Sequence, residues 1–77
     1  MTRGVYEITT RDPILRAIFE RARERGIGDR ELAKRSGYST SSIFAYRTDR
    51  QNNLKLPAMR EWAQAVGLTL NITIEER

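Results

Sequence analysis

Residues 40–48 carry four aliphatic hydroxyls (Thr40, Ser41, Ser42 and Thr48), two aromatic rings (Phe44 and Tyr46), one arginine and no acid. No hydroxyl in this run has a base beside it, so nucleophilic catalysis has no starting point. The run can donate and accept hydrogen bonds. Histidine and cysteine are absent from all 77 residues, which removes zinc sites, disulfides, thiol nucleophiles and imidazole catalysis together. With the acidic side chains scattered among arginines, the chain reads as no enzyme, and no cofactor or metal is expected.

On a helix that turns about 100° per residue, burying Ile43 and Tyr46 sends Ser41, Ala45 and Thr48 to the far side, flanked by Thr40 and Phe44. That outward face is small and mostly uncharged. Such a face can enter the major groove of duplex DNA, where hydroxyls meet base edges and alanine or phenylalanine touches a thymine methyl. Ser39 is read as a cap for this helix and no more. The net charge of +4 falls in the same region, because residues 11–50 hold ten basic and six acidic side chains. An anionic partner fits there. Arg16, Arg21, Arg23 and Arg25 alternate with Glu20 and Glu24 and read mainly as a solvated, self-paired face.

A short helix-turn unit must present this face. Leu32 and Ala33 lie within one helix, and Ala33 is small enough to let a second helix approach. Gly37 supplies the left-handed residue that stops the first helix, and Ile43 returns to the core one turn into the next. Leu32, Ala33, Gly37, Ile43 and Tyr46 are therefore scaffold. Their spacing resembles the helix-turn-helix of the repressor and Cro type, the XRE family, over most of the chain from Asp12 to Leu70. The resemblance implies that Thr40, Ser41, Phe44, Ala45 and Thr48 read bases and that Arg30, Arg47, Arg50 and Lys55 meet phosphates. Two positions depart from the family pattern. Asp29 and Thr40 stand where the family commonly has glutamine, and an aspartate suits the helix dipole but repels phosphate.

The remaining elements follow from local signals. Residues 1–10 read as an arm or edge strand, and Asp12-Pro13 starts a first helix that Gly26 ends. A second helix spans roughly 29–36 and a third 40–48, and Pro57 opens a fourth that Gly67 closes. Residues 68–75 alternate apolar and polar, which predicts a half-buried C-terminal β-strand. Its apolar residues, Leu68, Leu70, Ile72 and Ile74, are expected to form a dimer interface, pairing with residues 5–9 of the same or a second chain. The expected fold is mainly α, a lambda-repressor-like domain of four to five helices over residues 12–67 plus that strand, in one domain spanning 1–77.

By the resemblance this is a cytoplasmic transcriptional regulator of phage or mobile-element type. It would bind a palindromic double-stranded DNA operator as a homodimer, in most cases as a repressor. An antitoxin that binds its operator and a toxin is the alternative, and a bare protein adaptor is the third. A toxin or co-regulator is thus a possible protein partner, whereas no run of about 20 apolar residues suggests a membrane.

Overall fold

The computed structural model describes residues 6–71, and within them four helices follow one another: α1 (Pro13–Glu24), α2 (Asp29–Ser36), α3 (Thr40–Arg47) and α4 (Leu56–Ala65). Each begins or ends on a recognisable local device. Asp12 caps α1, its Oδ1 accepting from the amides of Ile14 at 2.8 Å and Leu15 at 3.2 Å, while Pro13 fills the first helical position. Ser39 caps α3, its Oγ accepting from the Ser42 amide at 3.1 Å. Gly37 stands between α2 and α3 at φ 80°, and its amide donates to the Ala33 carbonyl. A Cβ at Gly37 would meet nothing within 4 Å, so the requirement there is the left-handed backbone and not space. The first helix stops at Glu24, two residues before Gly26.

The apolar stripes of the helices converge on Trp62 of α4, which is fully buried. Its ring is met edge-on by Phe19 of α1 at 6.0 Å, by Tyr38 of the α2–α3 turn at 5.2 Å and by Tyr46 of α3 at 5.6 Å. Leu15, Ile18, Leu32, Ile43 and Val66 complete the inner layer, all at 1% exposure or less. Every helix therefore touches one shared core. Arg35 adds a polar link, its Nη1 donating to the Ala65 carbonyl at 2.8 Å near the end of α4 and its Nε to Glu31 at 2.9 Å. That bond holds the Glu31 carboxyl below the usual carboxylate range.

Among the described residues there is no strand, so residues 68–71 do not form the expected C-terminal β-strand. After Gly67 the Leu68 amide donates to the Ala63 carbonyl at 2.8 Å, and the chain leaves α4 as irregular backbone. Leu68 and Leu70 pack half-buried against the core, so their alternation reflects burial of alternate side chains against helices. Ile72 and Ile74 lie outside the described residues. At the end of the strand's expected intrachain mate, residues 5–9, the Thr9 amide donates to the Arg47 carbonyl at 3.0 Å, as does that of Thr10 at 3.1 Å. Neither residues 6–10 nor residues 68–71 are in a ladder. Among the described residues no helix is long and apolar enough to cross a membrane.

Candidate functional site

The face of α3 opposite Ile43 carries the residues singled out from sequence. Thr40, Ser41 and Phe44 are exposed, and Ala45 and Thr48 are half-buried. Phe44 is 40% exposed, one of two large apolar side chains so placed among the described residues. Thr48 follows the last helical residue, and its hydroxyl donates to the Phe44 carbonyl at 2.8 Å. That bond uses its one proton, so the oxygen is left with acceptor capacity only. Tyr46 is buried at the other side of the helix, its hydroxyl donating to Asn53 Oδ1 at 2.8 Å. This contact ties α3 to the loop before α4.

Three of the four cations expected at phosphates are exposed: Arg30 in the first turn of α2, Arg50 just after α3, and Lys55 at the head of α4. Arg50 and Gln51 both donate their amides to the Ala45 carbonyl, at 2.8 and 3.1 Å, which folds the loop back on α3. The fourth expectation is corrected by the structure. Arg47 is 6% exposed and grips Asp29 with a fork, Nε to Oδ1 at 3.1 Å and Nη2 to Oδ2 at 2.6 Å. Its Nη1 donates to the Glu7 carbonyl at 2.6 Å, and the guanidinium carbon lies 4.3 Å from the centre of the Tyr6 ring. Three of its five N–H donors are held by a carboxylate and a carbonyl, and the buried guanidinium does not stand open to a phosphate.

Asp29 is thereby explained. It starts α2, where a carboxylate suits the helix dipole, and its charge is neutralised from α3. This ion pair braces α3 against the head of α2. A sequence signal for Arg47 did exist, since about 100° per residue puts it about 40° from Ile43, on the buried side of α3. Nothing in the sequence names Asp29 as its partner, because 18 positions and a turn separate them.

The leading segment closes over this pair. The Arg16 guanidinium donates to the Thr10 carbonyl at 2.9 Å, the Asp12 amide donates to Thr10 Oγ1 at 3.2 Å, and Thr10 is fully buried. Burial pushes the Tyr6 phenol up to about 12, and the Asp29 carboxylate adds to the rise while Arg47 and Arg23 oppose it. Because the folded phenol ionises later than a free one near 10, its docking is fully retained below about pH 10 and lost as pH rises through 12. Alkaline difference spectra of the chain against Tyr6→Phe are expected to show this phenol ionising near 12. A midpoint near 10 would mean that Tyr6 does not sit in its slot.

Of the solvated arginine face expected on α1, one ion pair is present, Arg21 to Glu24 at 3.8 Å, while Arg16 serves the leading segment. Among the described residues no group of three or more acids could hold a metal ion. Comparison of the chain with protein-family models, curated proteins and solved structures finds no match in any of the three.

Proposed function

We propose that this chain is a sequence-specific double-stranded DNA-binding regulator that inserts α3 into the major groove. The observation that carries the reading is the split of α3 into two faces. Ile43, Tyr46 and Arg47 hold it from behind, and Thr40, Ser41 and Phe44 stand exposed in front with no charge of their own. Arg30 at the head of α2, Arg50 just after α3 and Lys55 at the head of α4, each exposed, supply the phosphate contacts in this reading. Thr48, an acceptor only, pairs with the amino group of cytosine or adenine. Phe44 packs on a thymine methyl. Two copies on a palindromic site, with their α3 helices about 34 Å apart, complete the reading.

Duplex titration across several salt concentrations, followed by selection of sites from random DNA, tests this. Ser41→Ala and Thr48→Ala are expected to change which bases are selected, each at about tenfold for the base it reads. Arg50→Ala and Lys55→Ala are expected to weaken all duplexes alike, each lowering the log-log salt slope by about 0.9. Binding that does not vary with salt would remove the DNA role. Unchanged selection by the Ser41 and Thr48 variants would remove the assignment of the reading face.

A further inference from the structure

Arg47 joins three parts of the domain that the sequence keeps apart. Its fork ties α3 to Asp29 at the head of α2, and its Nη1 ties α3 to the leading segment at Glu7. Its carbonyl receives the Thr9 and Thr10 amides, so both ends of the residue hold the same segment. A planar guanidinium pinned through three nitrogens keeps one orientation, and its faces are then available to aromatic rings. Tyr6 lies 4.3 Å from it, and Phe44 lies 5.3 Å from it on the exposed side of the helix. The Arg50 guanidinium is 5.4 Å from the same Phe44 ring. An exposed phenylalanine would otherwise sample several rotamers in water. Here its ring has a fixed cation beside it.

We propose that Arg47 is a positioning residue for DNA reading: pinned by Asp29, Glu7 and Tyr6, it sets the Phe44 ring for the groove, so residues 6–10 shape base selectivity without touching a base. This rests on the reading role proposed above for α3. The ion pair behind the helix and the ring in front of it are then one device, and the leading segment is its third member.

Selection from random duplex DNA is compared for the unaltered chain, Phe44→Ala, Arg47→Lys, Tyr6→Leu and the Phe44→Ala/Arg47→Lys double variant, each checked for folding by a melt followed through Trp62 fluorescence. Lysine keeps the charge but can form neither the fork nor the flat stacking surface. Arg47→Lys is expected to relax the same base step as Phe44→Ala, with about a tenfold loss on the preferred site and less than about twofold on random duplex. The double variant is expected to lose no more than either single one, because both remove the same placed ring. The salt slope stays unchanged.

Tyr6→Leu, which leaves the Asp29 fork intact, is expected to relax that step in the same direction and decides the matter if Arg47→Lys does not fold. Additive losses, or selectivity unchanged in the folded variants, overturn the positioning role. An unaltered chain without salt-dependent duplex binding would instead remove the DNA-reading role itself, and the positioning role with it.

Discussion

Asp29→Ala is expected to destabilise the domain by about 3–5 kcal/mol, because it leaves the Arg47 guanidinium buried without its counter-charge. The side chains of the pair are 7% and 15% exposed, so water cannot replace the lost carboxylate without opening the structure. A domain of 77 residues has a total stability of about 4–12 kcal/mol at the usual figure per residue. The loss is a large share of that total, and at the low end of the range the variant is largely unfolded at ordinary temperature. Urea unfolding followed by Trp62 fluorescence measures the effect directly. Replacing both partners, as Asp29→Ala with Arg47→Met, removes the unpaired charge and is expected to be milder than the single change. A single variant within about 0.5 kcal/mol of the unaltered chain, the scatter of ordinary surface changes, would show that the pair does not hold α2 to α3.

Trp62→Ala is expected to cost a similar amount, about 3–5 kcal/mol, from lost burial and the cavity left among four helices. Three edge-on aromatic contacts end with it, each worth about 0.5–1.5 kcal/mol beyond its area. In a domain of this size each kcal/mol shifts the melting temperature by about 4–8 °C. A fall of at least about 12 °C in a far-ultraviolet dichroism melt is the expected reading. Trp62→Phe should be much milder, since the indole Nε1 is buried without a hydrogen-bond partner and its removal strands no acceptor. A shift below about 4 °C for Trp62→Ala would mean that the helices do not share one core.

The helices were legible because their signals are local. Asp12-Pro13, Gly37, Ser39 and Pro57 act on the backbone within a turn, and the stripes of Ile14 to Ala22 and Met59 to Val66 repeat at helical spacing. The strand was misread for the same reason. Alternation along residues 68–71 says that alternate side chains are covered, and helices can cover them as well as a sheet can. A strand needs a backbone partner, which no local pattern supplies.

Residues 40–48 show the division most plainly. The sequence by itself determined the scaffold that carries them, with Gly37 at its left-handed turn and Ile43 in the core, and it determined that Thr40, Ser41 and Phe44 leave the core face. Only the tertiary structure decided the fate of Arg47, which its charge and place near the end of α3 suit to a phosphate and which the folded chain turns inward onto Asp29. Capping and helical periodicity depend on neighbours within four residues, and those are written in order along the chain. A buried charge depends on which opposite charge the packing brings within hydrogen-bond reach, and with 14 basic and 10 acidic side chains to choose from, the fold makes that choice.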